Sequence, residues 1–401
     1  MTRPLRILIG ADTFPPDVNG AAQFARRLAV GLARMGHEVH VVCPATATEI
    51  GAGVDDGIIM HRIPAHKTPA HPTFRVCLPW RARKAVSALL DGLRPDVVHA
   101  QAHFIVGRAL INEASRRHLP VVATNHFMPE NLFDYVKIPQ RLRTYAARKA
   151  YADLSRVFGR ADRVTAPTPR AAELLRAGGL PMDVMPVSCG IDIDKYRSVT
   201  AHADRPTVLF VGRLDVEKNV DELVRAHALL PAELDVRLEV VGDGSQRDKL
   251  EALVDELGTR ARVRFHGYAP DEELLAAYAR ATVFCMPGTA ELQSLVTMEA
   301  MSAGKPVVAA DAMALPHLVR HGRNGFLYRP GEVGELAARL ADVLEAPASV
   351  RDRMGAESGE IIARHAIGAT LETFEDIYRD VIGSGARRVV ADRSIGVARA
   401  A

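Results

Sequence analysis

The stretch at residues 6–43, RILIGADTFPPDVNGAAQFARRLAVGLARMGHEVHVVC, decides the fold. Its first five residues form an apolar run typical of a buried strand, and Ala25, Leu28 and Leu32 recur at helical spacing after it. A second apolar run follows at residues 38–43. Because strand, helix and strand in this order pair in parallel, the stretch predicts the start of a Rossmann-like unit.

The alternation of strands and helices continues in two series. The first series predicts further strands at residues 96–99, 120–124 and 163–166. The second predicts strands at residues 207–211, 238–241, 262–265, 282–286 and 306–310. The sequence therefore predicts an α/β fold of two Rossmann-like domains facing a central cleft, with ligand sites at the carboxyl ends of the strands.

Composition divides the chain into domains. We expect an N-terminal domain at residues 1–185, a linker rich in Gly, Pro, Ser and Asp at residues 186–206, and a C-terminal domain at residues 207–369. A helix at residues 370–382 follows the complete second domain and is expected to pack back on the first. Residues 383–401, rich in Arg, Gly and Ala, are expected to be disordered.

Composition also excludes several classes of protein. Of the 401 residues, 48% are hydrophobic and 25% charged, which is typical of a soluble globular protein. The net charge of +3 gives no argument for nucleic acid. No apolar stretch approaches the roughly 20 residues of a membrane span, so a cytoplasmic location is expected. The four cysteines show no CxxC or Cys/His cluster, which predicts buried thiols and no metal.

The segment GTAELQSLVTMEAMSAGK at residues 288–305 follows a predicted strand and opens a helix. Backbone N–H groups of Leu292, Gln293, Ser294 and Leu295 would point at an anion such as a diphosphate. We expect its two acidic residues, at positions 291 and 299, to face hydroxyl groups, because phosphate repels carboxylates. Two solvated helix acids fit the spacing equally well, and the paired carboxylates of a glycosidase are another interpretation.

The segment GRLDVEKN at residues 212–219 follows the first strand of the second domain. Arg213 and Lys218 can reach phosphate oxygens from two directions and neutralise a departing nucleoside diphosphate. Two ordinary surface cations are the alternative. Gly242, in Gly-Asp-Gly, and Gly20, in Asn-Gly, also follow strands and allow a backbone to approach a ligand closely, although each signal is weak alone.

Two further signals concern metal and acid–base chemistry. His126 follows a first-domain strand and is expected to face the cleft, with a hydrogen-bonded structural histidine as the alternative. Asp192-Ile-Asp194 resembles an Asp-x-Asp metal clamp but lies in the expected linker, so it is set aside. No histidine pair has HExxH spacing.

Together these motifs resemble the retaining glycosyltransferases of family four, which have the GT-B fold. The resemblance spans nearly the whole chain. It rests on the Pro-Pro-x-x-x-Gly loop at residues 15–20, the Gly-Arg-Leu segment with its Glu-Lys-Asn, the Gly-Asp-Gly turn, and the pair Glu291 and Glu299 separated by seven residues.

The resemblance implies a role for each motif. The first domain would bind the acceptor and the second the nucleotide-sugar donor, with transfer by a front-face retaining mechanism and without a cofactor or an obligatory metal. The implied contacts with the diphosphate are those of Arg213, Lys218 and Gly20, and the backbone of Leu292 to Leu295 would contact both sugar and phosphate. Glu291 would bind hydroxyls of the transferred sugar, with His126 beside that sugar. Glu299 would bind the ribose, and Gly242, Gly267 and Tyr268 would lie near the nucleotide.

One departure bears on the substrate. Many members have an aromatic residue and a Gly-rich stretch after the first Glu, where this chain has Leu-Gln-Ser-Leu at residues 292–295. With the segment NHFMPEN at residues 125–131, this element looks like the branch that glycosylates diacylglycerol. We therefore expect hexose transfer from a nucleotide sugar, UDP-glucose first, to a lipid hydroxyl.

A basic segment at residues 137–163 is consistent with a membrane partner. It carries eight cations against two acids, interleaved with apolar residues, and basic amphipathic helices bind anionic lipid surfaces. The protein would then be peripheral on the inner face of the cell membrane. A helix that packs its apolar side on the domain is the alternative.

Other functions remain open at this stage. The acceptor could be a soluble secondary metabolite or cyclitol, and the donor could be GDP-mannose. A sugar-nucleotide epimerase can use a similar two-domain fold, and a sugar-nucleotide-binding regulator would bind the donor without turning it over.

Overall fold

The computed structural model of the chain describes residues 3–17, 19–46, 51–68, 71–129, 138–199, 201 and 203–398. The chain divides into two compact units. Unit 1 comprises Met1–Ser188 and Thr370–Ala401, and unit 2 comprises Cys189–Ala369. The chain therefore passes between the units twice.

Unit 1 contains a sheet and a separate hairpin. Its strands are β1 (Arg6–Gly10), β2 (Glu38–Pro44), β3 (Gly51–Asp55), β4 (Ile58–Ile63), β5 (Ala65–Thr68), β6 (His71–Cys77), β7 (Val97–Ala100), β8 (Val121–Thr124), β9 (Arg163–Ala166) and β10 (Val184–Pro186). Within the described residues the sheet has the order β10-β9-β8-β7-β1-β2-β4-β3. Its pairings are parallel except that of β3 with β4, and β5 and β6 form an antiparallel hairpin.

Helices connect the parallel strands of unit 1. They are α1 (Gly20–Arg34), α2 (Pro79–Leu93), α3 (Ile105–Arg116), α4 (Gln140–Phe158) and α5 (Pro169–Ala177). Side chains at two helix starts satisfy backbone donors: Asn19 accepts from Ala22 N, and Thr168 accepts from Ala171 N. These caps stabilise the first turns of α1, which follows β1 along the chain, and of α5, which follows β9.

Unit 2 contains one parallel sheet. Its strands are β11 (Thr207–Val211), β12 (Arg237–Val241), β13 (Val263–Gly267), β14 (Val283–Met286), β15 (Val307–Ala310) and β16 (Gly325–Tyr328), in the order β13-β12-β11-β14-β15-β16. Its helices are α6 (Ile193–Arg197), α7 (Val220–Ala228), α8 (Arg247–Glu256), α9 (Asp271–Arg280), α10 (Leu295–Ser302), α11 (Leu315–Leu318), α12 (Val333–Leu344) and α13 (Ala348–Ala363). The predicted α/β fold with two Rossmann-like units is confirmed.

The last helix, α14 (Ile367–Ala398), begins at the end of unit 2 and packs on unit 1. Its Phe374 ring lies 5.9 Å from the Phe24 ring of α1, and both are buried. Gly31 leaves space for Leu371, because a Cβ there would approach the Leu371 side chain to 2.5 Å. The helix is assigned to Ala398, and residues 399–401 lie outside the described part, so the disorder expected of residues 383–401 stays a prediction.

The expected linker at residues 186–206 is also corrected. Pro186 ends β10, and unit 2 begins at Cys189, with Ile191 fully buried and Tyr196 7% exposed in its core. Ile191 pairs with Ala366 in a parallel bridge, and Asp192 caps α6 by accepting from Lys195 N. The Gly- and Pro-rich composition of this segment gave no indication that Ile191 and Tyr196 are buried.

A buried polar network joins α14 to the sheet of unit 1. His99 of β7 contacts the Tyr378 hydroxyl through Nδ1 at 2.7 Å and the Thr124 hydroxyl through Nε2 at 2.6 Å. Thr124 in turn contacts the Thr165 hydroxyl of β9 at 2.6 Å. Burial lowers the pKa of His99 to about 3, so the ring is neutral and each nitrogen needs its hydroxyl partner.

Replacement of Tyr378 tests this network. Tyr378→Phe keeps the ring but removes the hydroxyl that contacts His99 Nδ1 at 2.7 Å, so we expect a loss of stability of about 1–3 kcal/mol and a lower Tm. Thermal unfolding of the full chain measures the change. Tyr145→Phe, at a tyrosine that is 57% exposed, is the matched control and should leave Tm unchanged. Equal Tm values for the two variants would contradict the assignment.

Candidate functional site

The loops after β11 and β14 carry the two motifs with cations and carboxylates, and they lie against each other. Thr289 N donates to the carbonyl oxygen of Glu217 at 3.2 Å. The Asn219 side-chain amide lies 3.3 Å from both the Pro287 carbonyl oxygen and the Thr289 hydroxyl. Because β11 and β14 are parallel neighbours, both loops leave the same edge of the sheet. The structure therefore brings the two motifs together.

Lys218 and Glu291 form an ion pair between these loops, from Nζ to Oε1. Their side chains are only 17% and 10% exposed. Sequence reasoning selected both as ligand-binding residues but did not predict that they pair. Largely buried charges require partners. Lys218 can therefore bind an anion, and Glu291 can bind hydroxyl groups, by exchanging one partner for another.

Arg213 is held by two carboxylates of its own loop. It contacts Asp215, and its second terminal nitrogen lies 3.0 Å from Glu217 Oε1. The other oxygen of Asp215 accepts from the Ser245 hydroxyl at 3.2 Å. Burial raises the pKa of Glu217 above its ordinary value, and the charge of Arg213 opposes this shift. The guanidinium is thus oriented before any ligand binds.

Glycines allow the loops of this edge to touch. Gly242 has a φ of +128°, and a Cβ there would overlap the carbonyl oxygen of Gly212. A Cβ at Gly244 would lie 2.6 Å from the Leu214 carbonyl oxygen. The Gly-Asp-Gly turn thus approaches the loop that carries Arg213 closely, and its approach to a ligand stays a prediction.

Gly267 and Tyr268, expected near the nucleobase, lie at the same edge. The carbonyl oxygen of Gly267 accepts from Gly242 N at 2.8 Å, which joins the ends of β12 and β13. Gly267 has a φ of +67°, and the Tyr268 side chain beyond it is 59% exposed. An exposed ring at this edge can contact a ligand, and its part in base binding stays a prediction.

The segment between Glu291 and α10 contains the side chains at residues 292–295 that depart from the family pattern. Gln293 is 4% exposed, and its Oε1 accepts from Cys189 N at 2.8 Å. Ser294 adopts a φ of +64° just before α10, and its hydroxyl contacts that of Thr297 at 2.8 Å. The bulk of Gln293 is thus directed into unit 2. The N–H groups at the start of α10 lack partners within the helix, as at any helix start, so backbone contacts from Leu292 to Leu295 remain a prediction.

Glu299 lies on α10, apart from the Lys218–Glu291 pair in its contacts. Its Oε2 accepts from the Tyr278 hydroxyl at 2.8 Å. Burial, and then Glu299, raise the pKa of Tyr278 well above its ordinary range, so this hydroxyl stays a donor. Within the part of the chain that the structure describes, no three His, Cys, Asp or Glu side chains are grouped to hold a metal ion.

The two remaining predicted residues, Gly20 and His126, belong to unit 1. Gly20 is the first residue of α1, directly after the capping Asn19. His126 follows β8, and its Nε2 lies 3.0 Å from Gln101 Oε1. Its ring centroid lies 4.8 Å from that of Phe24, and burial lowers the pKa of His126 to about 4. The imidazole is therefore neutral near pH 7.

Sequence reasoning missed two buried polar residues at the same edge of unit 1. Asp12, just after β1, accepts from Val106 N at 2.7 Å and Gly107 N at 3.1 Å, at the start of α3. Burial raises the pKa of Asp12 to about 6 despite these hydrogen bonds. Gln101, just after β7, is 3% exposed. A polar residue directly after an apolar strand was the signal available for both.

Sequence comparison assigns both halves of the chain to glycosyltransferases. A model of the glycosyl transferases group 1 family matches residues 192–360, and one of glycosyltransferase family 4 matches residues 18–195. A GDP-mannose-dependent alpha-mannosyltransferase of Mycobacterium tuberculosis is 32% identical over 85% of this chain and 87% of the relative. D-inositol 3-phosphate glycosyltransferase 1 of Catenulispora acidiphila is 30% identical over 93% of each chain.

Solved structures share the fold. Sucrose-phosphate synthase of Thermosynechococcus elongatus superposes with a TM-score of 0.78 over 94% of this chain and all of the other, at 21% identity. HepE of Anabaena, solved with UDP and glucose, gives a TM-score of 0.74 over 93% and 99% of the two chains, at 19% identity.

Two Rossmann-like units with these neighbours define the GT-B fold. The sequence relatives narrow the class, and the chain belongs to glycosyltransferase family four. The family expected from the motifs is thus confirmed. The comparisons do not confirm membership of the diacylglycerol branch.

Removal of either paired cation tests the site. Arg213→Ala and Lys218→Ala should each weaken binding of a nucleoside diphosphate by about 1.5–3 kcal/mol, roughly 10- to 100-fold, because a charged hydrogen bond to phosphate is lost. Isothermal titration with GDP and UDP measures the affinity. Arg225→Ala, at an exposed cation of α7, is the matched control. Unchanged affinity in both site variants would place the phosphate elsewhere.

Proposed function

We propose that this protein is a retaining hexosyltransferase that transfers a sugar from a nucleotide-sugar donor to an acceptor hydroxyl. The observation that carries the proposal is the cluster of Arg213, Lys218 and Glu291 at one edge of the sheet of unit 2. Two cations and a carboxylate, all held in place by protein partners, match the needs of a sugar diphosphate: charge neutralisation at the phosphates and hydrogen bonds to the hydroxyls.

Each residue has a proposed role. Lys218 leaves Glu291 to bind the diphosphate, and with Arg213 it stabilises the charge that develops on the leaving group. Glu291, released from Lys218, accepts hydrogen bonds from hydroxyls of the transferred sugar. Glu299, oriented by the Tyr278 hydroxyl, binds the ribose. The contacts expected from the motifs for His126 with the sugar and for Gly20 with the phosphate stay predictions.

Retention follows from a front-face reaction in this proposal. The leaving phosphate oxygen accepts the proton of the acceptor hydroxyl while the acceptor oxygen attacks the anomeric carbon from the side that the phosphate leaves. The cations Arg213 and Lys218 supply the charge stabilisation, so no metal is required. The protein groups bind and orient the substrates, and none forms a covalent bond to the sugar.

The relatives favour GDP-mannose as the donor. Besides the M. tuberculosis protein, a GDP-mannose-dependent alpha-mannosyltransferase of Mycolicibacterium smegmatis is 33% identical over 80% of this chain. We therefore propose mannosyl transfer ahead of the UDP-glucose expected from the segment after Glu291. The side chain of Gln293 is directed into unit 2, where it bonds Cys189 N. The residues at 292–295 are therefore a weaker indication of which sugar is transferred.

Helix α4 supports a lipid acceptor at a membrane surface. Its buried residues are confined to its end, from Leu154 to Phe158, whereas Leu142 and Tyr145 are 48% and 57% exposed among the cations of the first half. The second half is engaged in the protein, since Arg108 pairs with Asp153. No described helix combines the length and apolar character needed to cross a membrane. Lys137 of the predicted basic segment lies outside the described residues.

A donor screen tests the proposed reaction. With a lipid extract as acceptor, GDP-mannose should give release of GDP and a mannolipid, at a rate well above that with UDP-glucose. In Lys218→Ala, kcat/KM should fall by at least about 100-fold, whereas Arg225→Ala should match the wild type. Faster release from UDP-glucose would restore the glucosyl assignment, and no release with any sugar nucleotide would contradict transferase activity.

Charge reversal on α4 tests the membrane surface. Arg141→Glu with Arg148→Glu should abolish co-sedimentation with liposomes that contain anionic lipid, because each cation near the surface contributes about 1 kcal/mol. Arg225→Glu with Arg320→Glu, at exposed cations of unit 2, has the same net charge and should still co-sediment. Binding that survives in the α4 variant, or that is absent in the wild type, would favour a soluble acceptor such as a cyclitol.

A further inference from the structure

Trp80, the only tryptophan of the chain, lies in the first turn of α2 and is 66% exposed. Tryptophan carries a large apolar ring and is highly buried on average in folded proteins. Helix α2 packs on the rest of unit 1 through Ala82, Val86 and Leu90, which recur every four residues and are buried. Trp80 lies off this stripe, so the packing of α2 does not explain its presence at the surface.

The sequence around Trp80 is basic. Arg81, Arg83 and Lys84 follow it within the next turn of α2. Arg83 pairs with a carboxylate of α3, and Arg81 and Lys84 are exposed. Residues 57–90 contain no Asp or Glu, so no acid of this stretch offsets these charges. An exposed indole thus lies beside cations, which is the composition expected of a surface that meets anionic lipid.

Helix α2 belongs to the same layer of unit 1 as α3 and α4. Arg117, directly after α3, pairs with Asp91 near the end of α2. Arg108 of α3 pairs with Asp153 of α4. The three helices lead into β7, β8 and β9 in turn, and these strands are parallel, so the helices all run antiparallel to them. The first turns of all three helices therefore lie toward the carboxyl ends of these strands.

Helix α4 extends past the start of α3. Arg108 is the fourth residue of α3, and its partner Asp153 is the fourteenth of α4. At a rise of about 1.5 Å per residue, α4 therefore begins about 15 Å beyond α3. This extended part carries the exposed side chains of Leu142 and Tyr145. Exposed apolar groups on α2 and on α4 thus flank α3 at the same edge of unit 1.

We propose that Trp80, with Arg81 and Lys84, is a second contact of unit 1 with a membrane that contains anionic lipid. The indole ring enters the boundary between headgroups and acyl chains, where an apolar ring with one polar N–H is favoured, and the two cations bind the negative headgroups. The inference rests on the membrane contact proposed for α4 and extends it to a second helix. It does not depend on the identity of the donor sugar.

A second contact adds an orientation to the binding. A single helix on the membrane leaves unit 1 free to tilt about it, whereas contacts on α2 and α4 hold the unit on both sides of α3. The carboxyl edge of the unit 1 sheet is then turned toward the bilayer. Asp12 and Gln101 follow β1 and β7 at this edge, so an acceptor hydroxyl held in the membrane would meet this side of unit 1.

The single tryptophan makes this contact directly measurable. Emission of the full chain should shift to shorter wavelength when vesicles of phosphatidylcholine and phosphatidylglycerol are added, because the indole leaves water. Vesicles of phosphatidylcholine alone should give no shift. Unchanged emission from protein that co-sediments with the mixed vesicles would overturn the inference while leaving the α4 contact in place. An equal shift with RNA in the absence of lipid would also overturn it, because the surface would then bind polyanions.

Two variants separate the ring from the cations, with co-sedimentation as the measure of affinity. Trp80→Ala should weaken binding to the mixed vesicles about tenfold, because the apolar surface of the ring is lost. Arg81→Glu with Lys84→Glu should weaken it by at least about 100-fold and suppress the emission shift, because negative charges then face the headgroups. All three residues are exposed, so the Tm should stay at the wild-type value. Wild-type vesicle affinity in Trp80→Ala would overturn the inference.

Matched controls come from unit 2. Leu229→Ala, at a leucine that is 62% exposed, controls for the ring, and Arg225→Glu with Arg320→Glu controls for the charge. Both should bind the vesicles like the wild type, and losses equal to those of the α2 variants would overturn the inference. Release of GDP from GDP-mannose is assayed in the same preparations with lipid dispersed in detergent. Its absence would contradict the proposed transferase, whereas the emission shift of Trp80 would still uphold the membrane contact.

Discussion

The contact between the Gly-Asp-Gly turn and the Gly-Arg-Leu turn is the constraint on which the proposed donor site of unit 2 depends. Gly242 meets the carbonyl oxygen of Gly212, and Gly244 meets the backbone of Leu214, at distances that exclude any side chain. Parallel strands bring their following loops to one edge, but only glycine lets the backbones pack this closely. The loop that carries Arg213 consequently packs on the Gly-Asp-Gly turn. The carboxylate partners of Arg213 orient its guanidinium.

Charge balance is the second organising principle of the site. Two cations, Arg213 and Lys218, are matched within unit 2 by Asp215, Glu217 and Glu291. Pairing offsets part of the desolvation penalty that isolated buried charges would carry, and it holds each side chain in place. A ligand with two phosphates and several hydroxyls can replace the Lys218–Glu291 pair by satisfying both members at once, whereas an inorganic anion satisfies only the lysine.

The sequence predicted the architecture because its signals are local. Apolar runs such as residues 207–211 and 282–286 mark buried parallel strands, and the motifs directly after them mark the ligand edge. Contacts between residues that are distant in the sequence leave no such signal, because they arise only when the strands align. Examples are the pairing of Lys218 with Glu291, the packing of Gly242 on Gly212 and the hydrogen bond between Gln101 and His126. The linker prediction was wrong for a related reason, because a single buried residue such as Ile191 produces no periodic pattern of apolar residues.

Under the proposed function, the Lys218–Glu291 ion pair marks the place where the sugar diphosphate binds. The most direct test is a crystal structure of the protein with GDP-mannose or with GDP. We expect Lys218 Nζ to leave Glu291 and to lie within hydrogen-bonding distance of a phosphate oxygen, with Glu291 turned to the sugar hydroxyls when the sugar is present. An intact Lys218–Glu291 pair with the diphosphate bound elsewhere would show that this ion pair is not the donor site.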